Sequence, residues 1–560
     1  MKLTTEQQKI IAHRGNMKIN AVAGSGKTTT LIQYAKQLPP QSRILYLAFN
    51  KSVRIEAEQK FAAQGLRNVK VETAHSLAFR YIVRNGGYEL QTNGYKAYEL
   101  KEMLQINAHQ DDNINYILAT HVGRFVAYFC NSAARKVKHL NYLDVLTDEK
   151  AKKFAKYYYD EILTHTRSFL AKMYRREIAI THDFYLKQFQ LLSPKLPYDY
   201  LLFDEGQDAS PAMLDVFLKQ TQATKVIVGD THQQIYSWRY AVNSLAKVDF
   251  EALSLTKSFR FDGEVANLAT QFLDWKKMFT KHESVFIRGA GNHTDLNSHA
   301  TLARTNLKLL SKAIELVFEK RLIDSLYFEG HINSYTYAEE GASIYDVLSL
   351  YNANNERIRD KMLRTLPDFE ALEEYIEKTE DQQLRMLKDI VLKYKNELPS
   401  LLKGLKDYHV ESDKKADADM IFSTVHRCKG MEYDEVSLED DFVTPDKIRK
   451  ILEESQSENP DITKLNEEVN LLYVAVTRSK NMLHIPAIYR TQKSRIRWVR
   501  AKKNPPPRFS EFGKKSEENV KRFSLQDYLK RAKQESDNPC LLYTSPSPRD
   551  TLLSRMPSSA

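Results

Sequence analysis

The sequence contains Ala21-Val22-Ala23-Gly24-Ser25-Gly26-Lys27-Thr28, a glycine-rich loop between a predicted strand and a predicted helix. The strand is the apolar run Met17–Ala21, and the helix is expected over residues 28–37, before two prolines. Backbone N–H groups in such a loop, with a helix N-terminus behind them, form a cradle for anions. In this arrangement Lys27 reaches the β- and γ-phosphates of a nucleotide, and the Thr28 hydroxyl binds Mg²⁺. The loop therefore predicts an α/β fold built around a nucleotide site.

The loop departs from the general pattern at one position, because Ala21 stands where the first glycine is usual. A glycine-rich turn with a chance Lys-Thr pair is the alternative, and the predicted strand and helix on either side argue against it. The residues expected to surround the phosphates are Ala23, Gly24, Ser25, Gly26, Lys27, Thr28 and Thr29.

A second apolar run ends in carboxylates: Leu201-Leu202-Phe203-Asp204-Glu205-Gly206-Gln207-Asp208. The carboxyl ends of parallel strands are where α/β folds bind ligands. We expect Asp204 to hold Mg²⁺ through water and Glu205 to orient and deprotonate the attacking water. Acidic pairs at strand ends are common, so this segment indicates a catalytic site only because the phosphate loop is also present. Together the two segments predict hydrolysis of a nucleoside triphosphate.

Apolar runs alternate with helical patterns in two parts of the chain, which indicates two parallel sheets covered by helices. Strands are expected at 44–49, 69–71, 200–203 and 225–228 in the first part, and at 302–304, 420–423, 435–438 and 482–485 in the second. We predict a first lobe at 1–87 and 173–258, interrupted by a helical insertion at 88–172. The second lobe is expected at 259–342 and 414–490, with a helical insertion at 343–413.

Composition excludes several classes of protein. The 560 residues are 42% hydrophobic and 28% charged, which is too apolar for a disordered chain. Three cysteines are too few for a disulfide framework or a zinc finger, and no apolar run approaches the length of a membrane helix. The first residues lack the apolar core of a signal peptide, so we expect an intracellular protein, in the nucleoid or nucleus, with no membrane partner.

The net charge of +11 favours a polyanionic partner, and most of the excess lies near the C-terminus. Residues 491–535 hold 14 Lys and Arg against 5 Asp and Glu. This basic extension is interpreted either as a solvated tail or as an arm that binds phosphates. Residues 536–560, which include Ser-Pro-Ser-Pro, are expected to be a disordered or non-native tail without function.

Five further blocks accompany the phosphate loop and the acidic segment in a fixed order. They are Leu3–Gln7, Val228–Arg239, Leu255–Arg260, Thr424–Tyr433 and Glu467–Arg478. The series resembles the motifs of superfamily 1 DNA helicases of the UvrD/Rep/PcrA type, and is most similar to the F-box DNA helicase branch, without an F-box segment. The resemblance covers residues 3–485 and implies two RecA-like P-loop lobes, each carrying a helical insertion. It also implies that the first insertion, at 88–172, binds DNA.

The resemblance implies ATP and Mg²⁺ as cofactors and assigns further contacts with the nucleotide. Gln7 would contact adenine, Phe259 would stack on adenine, and Glu432 would contact the ribose. Gln233 would sense the γ-phosphate, and Arg260 and Arg478 would stabilise the charge that develops on it when the lobes close. The predicted catalytic set is Lys27, Asp204, Glu205, Gln233, Arg260 and Arg478.

The resemblance also implies a track for single-stranded DNA. Its expected residues are Phe49, Asn50, Thr73, His75, Tyr236, Trp238, Arg239, Thr424 and His426. Aromatic rings stack on bases of any sequence, as a motor that moves along DNA requires. Core packing remains the alternative for Phe49, and an ordinary buried imidazole remains the alternative for His75 and His426.

The leading hypothesis is an ATP-driven 3′→5′ single-stranded DNA translocase and helicase in DNA repair or recombination, which acts on single strands and single-strand/duplex junctions. Its polarity comes from the resemblance alone. A translocase that strips recombinase filaments with little unwinding is a second possibility. A nucleotide-gated DNA-binding switch, or a subunit of a defence system, is a third. The complete catalytic set argues against a site that cannot hydrolyse ATP.

Overall fold

The structure of the chain, a computed structural model, describes residues 3–237, 240–330, 332–336, 341–454 and 461–490. Trp238 and Arg239 lie outside the described residues, and so do the basic extension 491–535 and the tail 536–560. The predictions made for them therefore remain sequence predictions.

The first sheet has six parallel strands in the order β3-β2-β4-β5-β1-β6. Their bounds are β1 (Met17–Ala21), β2 (Ile44–Ala48), β3 (Val69–Thr73), β4 (Tyr200–Phe203), β5 (Thr224–Gly229) and β6 (Glu251–Leu255). Central strands such as β2 are buried along their whole length, which explains their continuous apolar sequence. The sequence analysis missed β6, an edge strand in which only Leu253 and Leu255 are buried. We call the part of the chain built on this sheet the first lobe.

Helices cover the first sheet and interrupt it. They are α1 (Thr5–Ala12), α2 (Lys27–Lys36), α3 (Lys51–Ala63), α4 (Ala74–Gly86), α5 (Ala97–Leu104), α6 (Asp112–Asn131), α7 (Glu149–Tyr157), α8 (Tyr159–Tyr174), α9 (His182–Leu192), α10 (Pro211–Leu218) and α11 (Ser244–Lys247). Helices α5 to α8 form a helical insertion between β3 and β4.

The second sheet has five parallel strands in the order β10-β11-β9-β12-β13. After the short parallel pair β7 (Lys257–Ser258) and β8 (Arg288–Gly289), its strands are β9 (His299–Ala303), β10 (Leu326–Phe328), β11 (Met420–Thr424), β12 (Tyr433–Leu438) and β13 (Ser479–His484). The predicted strand ends were wrong by a few residues, since β9 ends before Arg304 and β13 begins at Ser479. Strand β10 was missed because three residues are too short for an apolar pattern. We call the part built on this sheet the second lobe.

The helices of the second lobe are α12 (Gly263–Asp274), α13 (Asn306–Ile314), α14 (Ile344–Tyr351), α15 (Phe369–Thr379), α16 (Gln382–Tyr394), α17 (Leu398–Asp407), α18 (Pro445–Glu454) and α19 (Ile462–Val476). Helices α14 to α17 form a second insertion, between β10 and β11. The predicted α/β class with two parallel sheets and two helical insertions is confirmed. Across the described ranges, every helix is too short or too polar to span a lipid bilayer.

The two insertions contact each other through polar side chains. The Thr120 hydroxyl of α6 lies 2.9 Å from the Tyr375 hydroxyl of α15. Arg124 Nη2, also on α6, donates to Glu380 Oε2 at 2.7 Å. Glu380 is only 7% exposed and directly follows α15. The insertions therefore pack together as well as against their own lobes.

Glu435 on β12 holds one histidine from each neighbouring strand. Its Oε2 lies 2.7 Å from His299 Nδ1 on β9, and its Oε1 lies 2.6 Å from His484 Nε2 on β13. Burial disfavours the Glu435 carboxylate, but the hydrogen bonds from both histidines outweigh burial and hold its pKa at about 2. The hydrogen bond to Glu435 raises the pKa of His299.

Replacing Glu435 by Gln is expected to lower the free energy of unfolding most between about pH 4.5 and 6.5. The lowered pKa of Glu435 stabilises the fold at pH values above the pKa that this carboxyl has in the unfolded chain. The raised pKa of His299 stabilises the fold most at pH values below the pKa that this imidazole has in the unfolded chain. We expect a loss of about 2 kcal/mol at pH 5.5, and a smaller loss at pH 8.5, because less of the His299 imidazole is protonated at the higher pH. Urea unfolding at both pH values measures this, with the exposed Glu283→Gln as control. Equal losses at the two values would contradict it.

Candidate nucleotide site between the two lobes

Three neighbouring strands of the first sheet bring the predicted catalytic residues of the first lobe, and also Asp230, to one edge. The phosphate loop follows β1, the pair Asp204-Glu205 follows β4, and Asp230 follows β5. These strands are adjacent and parallel, so their carboxyl ends meet. The second lobe faces this edge, because Phe259 N donates to Gly24 O at 2.9 Å.

The phosphate loop has the backbone that an anion cradle requires. Gly24 and Gly26 have φ of +72° and +78°, a left-handed conformation that favours glycine. A Cβ atom at Gly24 would lie 2.6 Å from Arg260 Cβ, so the approach of the second lobe also demands glycine there. Helix α2 begins without a side-chain cap, and the buried Ser25 hydroxyl has no hydrogen-bond partner among the described residues. The loop therefore leaves N–H and O–H donors for a phosphate group.

Lys27 lies among three carboxylates. Its Nζ is 2.6 Å from Glu205 Oε1, in a pair whose side chains are 13% and 21% exposed. Burial favours the neutral amine, but Glu205, Asp204 and Asp230 outweigh burial and raise the pKa of Lys27. Lys27 is therefore positively charged at the edge of the sheet where phosphates are expected.

Asp204 and Glu205 have different environments although they are adjacent. Burial and the neighbouring Glu205 raise the pKa of Asp204, whose carboxylate accepts from the Tyr46 hydroxyl and from Glu205 N. Burial disfavours the Glu205 carboxylate too, but Lys27 and Lys429 outweigh it and lower its pKa. Glu205 is therefore ionised, which is the state that a general base needs.

The two predicted Mg²⁺ ligands share one partner. The hydroxyl of Tyr46, on β2, donates to the Asp204 carboxylate, and the Thr28 side chain lies near the same hydroxyl. Thr28 and Asp204 therefore lie close together, and their hard oxygen atoms suit Mg²⁺. The sequence analysis did not identify Tyr46. A lone hydroxyl within the apolar run Ile44–Ala48 is the signal that could have identified it.

The second lobe contributes the predicted arginines and Glu432. Arg260 Nε donates to Glu432 Oε2 at 2.8 Å, and its Nη1 donates to Thr477 O at 3.1 Å. Arg478 is fully buried and donates to the carbonyls of Val474 and Met431. Burial, together with the charge of Arg260, lowers the pKa of Arg478 to about 10, so it remains a cation. The structure thus brings Arg260, Glu432 and Arg478 together beside the phosphate loop.

Gln7 and Phe259 flank the loop on its first-lobe and second-lobe sides. Gln7 is 1% exposed, its Oε1 accepts from Thr4 N, and its Nε2 donates to the Thr30 hydroxyl of α2. This Nε2 lies 3.4 Å from the position that a Cβ atom would take at Gly26. The ammonium of Lys257 lies 5.1 Å from the centre of the Phe259 ring. Both residues are therefore near the loop, as a role in binding the nucleotide base requires.

Residues 230–237, the Gln233 loop, connect the nucleotide site to the second lobe. Gln233 is 5% exposed and its Nε2 donates to Asp230 Oδ2 at 2.8 Å. Lys429 of the second lobe donates to Gln233 O at 2.5 Å and forms an ion pair with the buried Asp208 carboxylate. Asn470 Nδ2 donates to Gln234 O at 2.8 Å. The sequence analysis gave Lys429 and Asp208 no role, although both lie inside quoted blocks.

The predicted DNA residues fall into two groups. Phe49 is half-buried and stacks on Tyr236, with ring centres 5.8 Å apart and planes at 17°. Tyr236 donates to His426 O at 2.9 Å, and Lys429 Nζ lies 4.9 Å from the centre of its ring. Phe49 is therefore not a core residue. Burial lowers the pKa of His426 to about 4, so its imidazole is neutral.

The second group lies at the ends of β2 and β3, which pair at Ala48 and Thr73. Asn50 and Thr73 are helix N-caps whose side-chain oxygens accept from Val53 N and Ser76 N. His75 is 40% exposed and lies 4.0 Å from Asp183. The remaining residue, Thr424, lies in the second lobe at the end of β11 and is 7% exposed. The caps hold Asn50 and Thr73 in place, so any DNA contact there uses atoms that the caps leave available.

Residues 3–249 match the family model of the UvrD/REP helicase N-terminal domain. The chain is 32% identical over 517 residues to F-box DNA helicase 1 of Gallus gallus, over 86% of this chain and 49% of that protein. It is 28% identical over 520 residues to F-box DNA helicase protein 1 of Schizosaccharomyces pombe, over 86% of this chain and 57% of the relative. A probable DNA helicase II homolog of Mycoplasma pneumoniae is 23% identical over 300 residues, or 49% of this chain and 42% of that protein. The chain spans about half the length of the curated relatives it matches.

Proposed function

The chain belongs to the UvrD/Rep type of superfamily 1 helicases, near the F-box DNA helicase branch, and from this we propose that it couples ATP hydrolysis to movement along single-stranded DNA and to duplex unwinding. The observation that carries the proposal is the meeting of two lobes at the phosphate loop. Lys27 and Glu205 of the first lobe form a 2.6 Å ion pair, and Arg260 of the second lobe lies against Gly24.

The residues present fit Mg²⁺ and ATP. Thr28 and Asp204 would hold Mg²⁺, which neutralises charge on the β- and γ-phosphates when bound. Lys27 binds the same phosphates, and Glu205 orients a water molecule and accepts its proton. Arg260 and Arg478 add positive charge from the second lobe, so hydrolysis requires that the lobes close.

The DNA track is proposed to include Phe49 and Tyr236. Their rings already stack on each other, and Tyr236 belongs to the Gln233 loop. A change in position of this loop on hydrolysis therefore moves an aromatic ring of the track. Alternation of grip between the two lobes then gives directional movement. We propose 3′→5′ polarity, action at single-strand/duplex junctions, a role in repair or recombination, and an intracellular location from the similarity to the helicases.

The test measures ATP hydrolysis with and without single-stranded DNA, followed by unwinding of duplexes with a 3′ or a 5′ overhang. We expect DNA to raise turnover about tenfold or more, because stacking worth ~1–3 kcal/mol per base is available to favour the active arrangement. We expect unwinding from a 3′ overhang, with a blunt duplex as control. ATP binding without DNA-stimulated turnover would contradict the proposal and favour the nucleotide-gated switch. Turnover without unwinding would favour a translocase that strips filaments.

A further inference from the structure

Tyr473 on α19 of the second lobe places its hydroxyl between two segments of the first lobe. The hydroxyl accepts a hydrogen bond from Ala23 N, in the phosphate loop, at 3.2 Å. It donates to Asp230 Oδ2, at the end of β5, at 2.8 Å. The side chain is completely buried. One atom of the second lobe therefore joins the phosphate loop to the start of the Gln233 loop.

Asp230 extends this contact towards the catalytic residues. Its Oδ2 also accepts from Gln233 Nε2 at 2.8 Å, and its backbone N–H donates to Gln207 Oε1 at 3.1 Å. Gln207 Nε2 in turn donates to Glu205 Oε2 at 2.5 Å. The Asp230 carboxylate therefore orients the Gln233 amide, and the Asp230 backbone N–H holds Gln207, which contacts Glu205.

A comparison with Tyr489 shows that Tyr473 is more than a buried tyrosine with a satisfied hydroxyl. Tyr489 is 1% exposed, and its hydroxyl accepts from Phe442 N at 2.9 Å within the second lobe. The partners of Tyr473 lie instead in the other lobe, on the segments that surround the phosphate site. Burial and the nearby Asp230 raise the pKa of Tyr473 far above its usual value, so its hydroxyl stays protonated.

We propose that Tyr473 is a positioning residue that couples closure of the lobes to assembly of the hydrolytic site. When the lobes are together, its hydroxyl fixes Ala23 N and orients Asp230, and Asp230 orients Gln233. When the lobes separate, both contacts are lost at once, and the phosphate loop and the Gln233 amide lose their orientation. This role rests on the proposed hydrolysis of ATP, but the contacts themselves do not.

The first measurement is hydrogen–deuterium exchange of the nucleotide-free full chain. Tyr473→Phe removes only the hydroxyl, and Tyr489→Phe makes the same change within the second lobe. We expect the peptide that contains Ala23, and the peptide of residues 230–237, to exchange about tenfold faster in Tyr473→Phe. Peptides of β11 and β12 should exchange as in the wild type, which shows that the fold is intact. Unchanged exchange at Ala23 would overturn the proposal.

The second measurement separates binding from turnover. In Tyr473→Phe we expect kcat with single-stranded DNA to fall about tenfold while KM for ATP changes by less than about threefold, because no direct phosphate contact is removed. Tyr489→Phe should keep the wild-type kcat. Because Tyr473 acts through Gln233, the double variant should have a kcat only slightly lower than that of Gln233→Ala alone.

Three outcomes would count against the role of Tyr473: a wild-type kcat in Tyr473→Phe, equal losses in the two tyrosine variants, or full additivity with Gln233→Ala. Failure of the wild-type chain to hydrolyse ATP would contradict the proposed function instead. The exchange experiment would still show whether the Tyr473 contacts exist. The two proposals therefore fail in distinguishable ways.

Discussion

Glu205→Gln is expected to lower DNA-stimulated ATP turnover by at least about 100-fold while ATP affinity stays close to that of the wild type. The amide has the shape of the carboxylate but cannot accept a proton from water. Glu205 is well placed for that role, because Lys27 and Lys429 keep it ionised in a buried site. Its Oε2 is held by Gln207 Nε2 at 2.5 Å, which fixes the carboxylate without neutralising it.

Steady-state hydrolysis and equilibrium binding of a fluorescent ATP analogue, measured on the same protein preparation, test this expectation. The exposed Glu283→Gln is the matched control, because it removes the same charge from a residue that has no role in the proposed site. Normal DNA-stimulated turnover in Glu205→Gln would show that another group activates the water. Loss of ATP affinity would show instead that Glu205 mainly shapes the phosphate loop.

Lys27→Ala is expected to weaken ATP binding by about tenfold and to lower turnover by about 100-fold or more. The ammonium contacts the phosphates both before and during the reaction, so ground-state and transition-state binding both suffer. The loss has a second cause in this chain. Without Lys27, the carboxylates of Asp204, Glu205 and Asp230 face the phosphates without the ammonium that now lies among them.

The control is Lys36→Ala, an exposed lysine at the other end of α2. It removes the same charge by the same substitution but lies a full helix length from the phosphate loop. We expect Lys36→Ala to bind and hydrolyse ATP like the wild type. Unchanged ATP affinity in Lys27→Ala, measured by the same binding assay, would mean that the loop is not a phosphate site.

The parts of the fold that the sequence predicted are those that a local pattern encodes. The phosphate loop and the Asp204-Glu205 pair each combine an apolar strand with a few polar residues beyond its end, so both were predictable. Strand β6 was missed because it lies at the exposed edge of the sheet, where only two of its residues are buried and apolar. Strand β10 was missed because three residues are too few to show an apolar pattern. Fold class was therefore predictable, although the ends of several strands were not.

The missed site residues depend on contacts between distant parts of the chain. Tyr473 stands in the apolar run Leu471–Val476, which predicts only a buried helix face. Its partners Ala23 and Asp230 lie in the other lobe, and no spacing in the sequence relates the three. Lys429 pairs with Asp208 across the same boundary. Such roles follow from how the lobes meet, which local patterns do not encode.

The Gln233 loop also limits how this chain can diverge or be recombined. Its residues contact Lys429, Asn470 and Tyr473 of the second lobe, so a change on one side of the boundary is tolerated only with a compatible partner on the other. A hybrid that takes each lobe from a different homologue would mismatch these pairs even if both lobes folded. A working hybrid would need residues 230–237 and the segments 426–429 and 467–473 from a single parent.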